Sequence, residues 1–378
     1  MRVGIDLTAI WRPVTGMERV AIEMTRALLR LDQENEYVLF FSEDVHPSFT
    51  DARGDFHPVV FPVRSELLSK NIFFTFSPAV AHLDFLHFPI FPPPLWCRCT
   101  HGWLVPDATP WLYPETMKRS SRVYFQTLGG RAMRTSRLLV TDTHSSRSDL
   151  LQFFGDRRDD IRVIEPGVRP SVCRVEQAAT LNTLRQKYKL PEEFLLCVGT
   201  LEPRKNLSRL LQAFQSLRAS GRTAASLVIV GRQGWLYDRI FAEILAAGLQ
   251  DAVIFTGYVP DQDLAGLYSM ARVFLYPSLY EGFGLPCIEA MACGCPVVTS
   301  NRGALLEVTG QAAVHADPED TASIASAIDQ VLQDDRLRQS LAARGIDRAK
   351  MFSWDRYACE MIKAFEEISE HAEAFARS

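Results

Sequence analysis

The chain predicts an α/β protein built from two successive doubly wound sheets, and three observations carry that expectation. In the C-terminal half, short apolar runs (Phe194 to Val198, Leu227 to Val230, Val253 to Phe255, Val273 to Tyr276) alternate with helix-spaced segments. A similar alternation fills the N-terminal half. Between them, Arg169 to Pro191 has no clear strand and begins beside proline. The 378 residues are enough for two such cores and show no third. Domains are therefore expected at 1–172 and 190–354, facing each other across a ligand cleft.

The elements follow in order. Met1 to Leu7 reads as a strand and lacks the long apolar centre and small-residue cleavage site of a signal peptide, so a cytoplasmic protein is expected. After Trp11 to Arg19, apolar residues at Val20, Met24, Ala27, Leu28 and Leu31 have helical spacing. Gly16 then sits just before a helix N-terminus, where it serves either as a plain turn or as a place for backbone to approach a phosphate. Tyr37 to Phe41, Val59 to Val63 and Phe85 to Phe88 are further strands. Residues 71–96 interleave Phe73, Phe74, Phe76, Phe85, Phe88, Phe91 and Trp96 with five prolines, which forbids one long helix. Their aromatics either pack inward, the favoured reading, or meet an apolar partner. Residues 118–137 carry six cations and no acid, so this helical stretch either lies on an anionic membrane surface or is a solvated face. Leu138 to Val140 and Ile161 to Ile164 complete the first set of strands.

In the second half, helices are expected over Leu207 to Leu217, Tyr237 to Ala246, Leu264 to Met270 and Leu285 to Ala292. Helical patterning dominates from Pro318 onward. Phe352 to Asp355 breaks it, and Ser353 can cap a helix over 355–378 long enough to pack back on the first domain.

Composition is ordinary for a globular chain, with 47% hydrophobic and 23% charged residues and a formal net charge of −4, so neither nucleic acid nor any other polyanion is implied as a general partner. No apolar run reaches the roughly 18 residues of a membrane helix. Eight cysteines include the pairs Cys97/Cys99 and Cys293/Cys295, but Cys-x-Cys spacing does not suit a structural zinc site, and reduced, packed thiols are expected.

One stretch stands out chemically. Tyr280-Glu281-Gly282-Phe283-Gly284-Leu285-Pro286-Cys287-Ile288-Glu289 links a strand to a helix through a glycine-bracketed loop, and its two carboxylates can face one ligand from different heights. Gly199-Thr200-Leu201-Glu202-Pro203-Arg204-Lys205-Asn206 places two cations after another strand, with Asn206 able to cap the next helix. With Gly16, that makes three phosphate-compatible loops. A ligand bearing a diphosphate and many hydroxyls is a sugar nucleotide.

These motifs, with Val230 to Trp235, Phe255-Thr256-Gly257-Tyr258-Val259, Ala265-Gly266-Leu267-Tyr268 and Pro277 to Ala292, resemble the retaining glycosyltransferases of family 4. Weaker matches are Thr15 to Arg19, His87-Phe88-Pro89, Asp107 to Pro110 with Tyr113 to Glu115, and Glu165 to Val168. The resemblance implies the GT-B fold, two Rossmann-like domains with the nucleotide sugar held mainly by the second. It implies that Glu289 binds the donor ribose, that Glu281 contacts the donor sugar, and that Gly282, Phe283, Gly284 and Leu285 offer backbone N–H groups. It further implies that Arg204 and Lys205 bind the leaving diphosphate, that Tyr258 joins the donor site and that Gly16 closes over it. No dedicated protein base is implied, and no cofactor beyond the donor substrate.

One departure concerns the acceptor side. Many members have His-Asp where this chain has Pro106-Asp107, leaving Asp107 to orient the acceptor. Asp261-Gln262-Asp263 imitates a metal-binding Asp-x-Asp, but it precedes a helix and is read as capping, so no metal is expected. The leading expectation is a metal-independent retaining transferase, for mannose on general resemblance, acting on a saccharide or lipid-linked acceptor in polysaccharide or glycolipid assembly. Peripheral membrane contact through 117–137 on the cytoplasmic face stands beside the favoured reading of that stretch as a solvated face. The alternatives are a sugar-nucleotide epimerase, or a non-catalytic nucleotide-sugar-binding subunit docked to a membrane or partner. A dinucleotide dehydrogenase is disfavoured, because neither half has Gly-x-Gly-x-x-Gly after its first strand.

Overall fold

Strands buried on both faces need apolar residues at every position, and helices must cover each side of their sheet. That requirement shapes both units of this chain, Met1–Gly167 with Ser353–Ser378 and Val168–Phe352. A computed structural model describes all residues except 11–15, 51–53, 63–67, 156–159, 232–236 and 378. Thr15, and residues 232–235 of the Val230 to Trp235 motif, lie outside the described residues.

In the first unit, the described strands are β1 (Arg2–Asp6), β2 (Glu36–Phe41), β3 (Phe56–Val60), β4 (Phe85–Phe88), β5 (His101–Leu104), β6 (Leu138–Thr141) and β7 (Ile161–Val163). They form a parallel sheet in the order β3-β2-β1-β4-β5-β6-β7. The helices are α1 (Gly16–Leu31), α2 (Leu68–Phe76), α3 (Pro78–Ala81), α4 (Thr109–Leu112), α5 (Arg119–Tyr124), α6 (Gly130–Thr135) and α7 (His144–Phe154), with a π-turn, Phe125–Gly129, joining α5 to α6. The aromatic stretch divides between two fates. Phe74, Phe85 and Phe88 are fully buried, with Phe74 edge-on to Phe40 at 5.3 Å and to Phe88 at 5.4 Å, whereas Phe76 and Trp96 are exposed.

Two sequence expectations shift here. The apolar run Val59 to Val63 suggests a strand, but β3 lies earlier, where Phe56 to Val60 pair with Tyr37 to Phe41. β5 has no counterpart among the expected strands, because His101-Gly102-Trp103-Leu104 is short and lacks a β-branched run.

In the second unit, the described strands are β8 (Phe194–Val198), β9 (Ser226–Val230), β10 (Val253–Gly257), β11 (Val273–Tyr276), β12 (Val297–Ser300) and β13 (Ala313–Ala316), parallel in the order β10-β9-β8-β11-β12-β13. The helices are α8 (Ala178–Lys187), α9 (Leu207–Ala219), α10 (Tyr237–Ala246), α11 (Asp261–Met270), α12 (Leu285–Ala292), α13 (Gly303–Thr309), α14 (Thr321–Gln333) and α15 (Asp335–Ala349). Alternate residues serve opposite cores. Leu195, Leu227, Ile229 and Leu275 pack with Leu210, Phe214 and Ile328, whereas Leu196, Val228, Phe274 and Tyr276 pack with Leu267, Tyr268 and Met291. Strand order reverses between β8 and β11, which makes the carboxyl ends of these two strands the topological switch point.

The C-terminal helix, α16 (Trp354–Arg377), belongs to the first unit. Tyr357, Met361 and Phe365 are fully buried, Phe365 lies 5.5 Å from Phe85, and Asp355 pairs with Arg30 of α1. Ser353 Oγ accepts the backbone N–H of Asp355 at 3.2 Å, the capping role its position suggests. Among the described residues no helix is long and apolar enough to cross a membrane.

Candidate active site

The loops leaving β8 and β11 meet at the switch point of the second unit. The first turns through a short 3-10 segment, Pro203–Lys205, and its backbone is tied to the second, where Leu279 N–H donates to the Arg204 carbonyl at 2.9 Å. That places two cations against one carboxylate. Arg204 Nη1 lies 2.6 Å from Glu281 Oε2 and donates to the Tyr280 carbonyl at 2.7 Å, while Lys205 Nζ lies 2.7 Å from Glu281 Oε1. Lys205 also donates to the Tyr276 hydroxyl and stands 4.8 Å from the centre of that ring.

Electrostatics follow from this packing. Burial alone raises the Glu281 carboxyl, but the charges of Arg204 and Lys205 and their hydrogen bonds outweigh it and hold the group down at about 2. Glu281 is therefore ionised at neutral pH and a weak base. Tyr276 is pushed well above its ordinary value by burial and by the Glu281 charge, so it remains a neutral phenol.

Asn206 departs from its expected role. It precedes α9, but its backbone is left-handed (φ 60°, ψ 33°) and its side chain makes no capping bond. Its Oδ1, the atom a cap would use, accepts instead from Arg209 Nη1 at 3.1 Å, and its Nδ2 donates to the buried carbonyls of Pro277 at 3.0 Å and Pro318 at 2.6 Å. Asp261 and Asp263 likewise miss the cap position of α11, which falls to Pro260, and lie inside its first turn. Asp261 pairs with Arg169, and Asp263 accepts from Lys187 and Tyr188, both at 2.6 Å.

In the glycine loop, Gly284 is left-handed at φ +96°, and a Cβ there would stand 2.5 Å from Leu305 Cδ2. The left-handed backbone favours glycine there, and any larger residue would also have to displace the end of the Leu305 side chain. The Phe283 side chain turns inward, 5.4 Å and edge-on to Phe352, with Leu285 packed beside it. Gly282 is buried with them. Glu289, in the second turn of α12, is 3% exposed and accepts from Arg169 Nη2 at 3.1 Å and from the Tyr268 hydroxyl at 3.3 Å.

Of the sequence-derived residues, the fold thus brings Arg204, Lys205 and Glu281 into direct contact and gives Glu289 a separate set of partners. Tyr258 lies exposed just beyond β10. Gly16 and Asp107 belong to the first unit. Gly16 is the exposed first residue of α1, where a Cβ would meet open space, so packing does not account for the glycine. Asp107 Oδ1 accepts the backbone N–H of Thr109 at 2.8 Å at the start of α4. Sequence reasoning missed Arg169, Tyr268 and Tyr276. Tyr268 sits in a quoted motif, but Arg169 lies 120 residues from Glu289 and carried no local signal. Among the described residues no group of three or more His, Cys, Asp or Glu side chains is placed to hold a metal ion.

Comparison with known proteins bears on the same region. Residues 182–348 match the family model described as glycosyl transferases group 1. The O-antigen chain mannosyltransferase B of Escherichia coli is 39% identical over 254 residues, 67% of this chain and 66% of that protein. The serotype-specific mannosyltransferase WbdA, also of Escherichia coli, is 31% identical over 226 residues, 59% of this chain and 28% of WbdA. The matches thus span less than two thirds of these relatives' own lengths. The sucrose-phosphate synthase of Thermosynechococcus elongatus shares the fold at a TM-score of 0.76 and 18% identity, over 100% of both chains. Since the family match takes in the cation pair, the glycine loop and both glutamates, this chain belongs to the group 1 glycosyl transferases, the family 4 enzymes of GT-B fold.

Proposed function

We propose that the chain transfers mannose from a nucleoside-diphosphate sugar to a saccharide or lipid-linked acceptor during polysaccharide or glycolipid assembly, with retention at the anomeric carbon and without a metal. The contact of Arg204 and Lys205 with Glu281 at the switch point carries this reading. Breaking a glycosyl–phosphate bond leaves negative charge on the diphosphate and positive charge on the sugar ring. Two cations already fixed by a carboxylate stabilise the first without reorganising, and the ionised carboxylate stabilises the second. A carboxyl held at about 2 is a poor proton acceptor at neutral pH, which supports a path in which the departing phosphate takes the acceptor proton. Glu289 then contacts the donor ribose, backbone N–H groups of Gly282 to Leu285 contact sugar and phosphate, and Tyr258 and Gly16 complete the donor site. Asp107 orients the acceptor. The identity to two mannosyltransferases supports the choice of sugar.

The test is nucleoside diphosphate release from a panel of nucleoside-diphosphate sugars, with and without chelator and a crude lipid-linked acceptor. The reading expects acceptor-stimulated release that survives chelation, greatest with a mannose donor, and a product of unchanged anomeric configuration. Donor consumption without acceptor would favour an epimerase, and tight donor binding without turnover on any acceptor would favour a binding subunit.

We infer in addition that one face of the first unit rests on an anionic bilayer at the cytoplasmic surface. Ile72, Phe76, Leu95, Trp96 and Val123 are exposed apolar side chains on segments that touch one another. Asn71 Oδ1 accepts from Leu95 N–H at 2.7 Å, Thr75 Oγ1 donates to the Trp96 carbonyl, and Arg131 Nε donates to the Leu95 carbonyl at 3.1 Å. Arg98 stacks on Phe76 at 5.5 Å, and Lys118, Arg119, Arg131 and Arg134 are exposed nearby in sequence. An open apolar groove of about 400 Å³ runs along α5, lined by Phe91, Val123, Tyr124 and Phe125 among others. Apolar side chains ringed by cations suit anionic headgroups over an acyl boundary.

A further inference from the structure

Glu289 is too deeply buried for water to order its carboxylate, so protein groups must hold it. The Arg169 guanidinium donates to Oε1 and the Tyr268 hydroxyl to Oε2. Arg169 is itself only 7% exposed, and its other terminal nitrogen, Nη1, donates to Asp261 Oδ2 at 2.5 Å. A single planar cation therefore bridges the first residue of α11 and the second turn of α12, and contact at both ends of its fork fixes its plane. The charges of Arg169, Asp261 and Glu289 sum to −1, whereas those of Arg204, Lys205 and Glu281 sum to +1. The first group suits hydroxyl donors and the second suits an anion.

We propose that Arg169 is a positioning residue that sets the plane of the Glu289 carboxylate and thereby makes the site discriminate a nucleotide's ribose from 2′-deoxyribose. The proposal rests on the reading of Glu289 as the ribose contact. A desolvated acceptor built for a hydroxyl rejects a ligand lacking that hydroxyl, because the acceptor is left buried without its donor. The penalty requires an acceptor that cannot turn elsewhere. Arg169, anchored at Asp261, prevents that turn.

The experiment measures dissociation constants for two pairs, GDP with 2′-deoxy-GDP and UDP with 2′-deoxy-UDP, using the full chain and the pair that binds. The wild type should prefer the ribose form by roughly tenfold or more, the range of one hydrogen bond to a charged group. In Arg169→Met the ratio should collapse toward one, and in Arg169→Lys, which keeps the charge but not the fork, it should recover in part. Asp261→Asn, which weakens the anchor at a less buried position, should lower the ratio even if Arg169→Met fails to fold. A merely structural role would weaken both members of a pair equally and leave the ratio unchanged, and that result in either Arg169→Met or Asp261→Asn overturns the proposal. Glu289→Gln separates the two levels. If it abolishes the preference while Arg169→Met retains it, only the role of Arg169 fails. If the wild type shows no preference, or no nucleotide binds, the ribose reading of Glu289 fails and takes the proposal with it.

Discussion

Lys205 brings its Nζ to 2.7 Å from Glu281 Oε1 across 76 residues of sequence, and with Arg204 on the other oxygen it makes the carboxylate one arm of a three-charge cluster. Each member is less than one fifth exposed, so removing any one leaves buried charge without its counter-ion.

Removing the carboxylate should therefore affect both activity and stability. Glu281→Gln is expected to lower turnover by about 10²–10³, the effect of losing one preorganised electrostatic group. Leaving two cations with no carboxylate should also cost on the order of 3–5 kcal/mol in stability. Acceptor-dependent diphosphate release and urea unfolding check the two parts. A Glu281→Gln protein with wild-type turnover would remove this residue from the mechanism.

Replacing one cation should show where its energy is used. Lys205→Met should reduce kcat/KM by about 10²–10³ if Lys205 meets charge that develops only on the departing diphosphate. A rise in KM alone, with kcat unchanged, would mean that Lys205 binds donor and transition state equally.

Acid should destabilise the second unit in a defined window. Glu281 ordinarily titrates at 4.5 and is held at about 2 in the folded chain. A depressed carboxyl contributes stability above its unfolded value, and that contribution is lost as pH falls through the folded one. The interval corresponds to about 3 kcal/mol. Urea midpoints at pH 6, 4 and 3 should fall in that order, and Glu281→Gln should flatten the decline relative to wild type.

Gly284→Ala tests the loop backbone. The left-handed conformation and the 2.5 Å approach to Leu305 should together lower the thermal midpoint. Adding Leu305→Ala should relieve the steric part but not the conformational part, so recovery should be incomplete.

The membrane face predicts a salt-sensitive interaction. Binding to phosphatidylcholine vesicles containing one third phosphatidylglycerol should exceed binding to pure phosphatidylcholine, and raised salt should weaken it. Lys118→Glu, Arg119→Glu and Arg122→Glu together, or Phe76→Ser with Trp96→Ser, should abolish it. Equal binding to both vesicle types, or none to either, excludes an anionic bilayer as the partner of this face.

Local signals read well where one physical demand dominated. Leu285–Ala292 is helical over the expected span because Gly284 and Pro286 mark its start and apolar residues fill it. The strands of the second unit were legible as unbroken apolar runs because helices cover both faces. β13 was not, since Ala313-Val314-His315-Ala316 has too little apolar bulk to stand out. In the site, Glu281, Glu289, Arg204 and Lys205 could each be picked out within a motif, but the contact of both cations with Glu281 could not, because only sheet order brings the loops after β8 and β11 together. The capping expected of Asn206 and of Asp261 with Asp263 failed for the opposite reason. Local propensity pointed to the helix ends, but arginine side chains took the carboxyl and amide oxygens, Arg209 that of Asn206 and Arg169 that of Asp261.

Asn206 bears on how the neighbouring cations meet a ligand. Its amide clips the loop after β8 to the carbonyls of Pro277 and Pro318, so residues 204 and 205 ride on a braced segment. Their conformational freedom is lost when the chain folds, not when an anion arrives, and the encounter keeps nearly all of the Coulombic attraction. Asn206→Gly would preserve the left-handed backbone while cutting the brace, leaving the same charges at the same positions but loosely held.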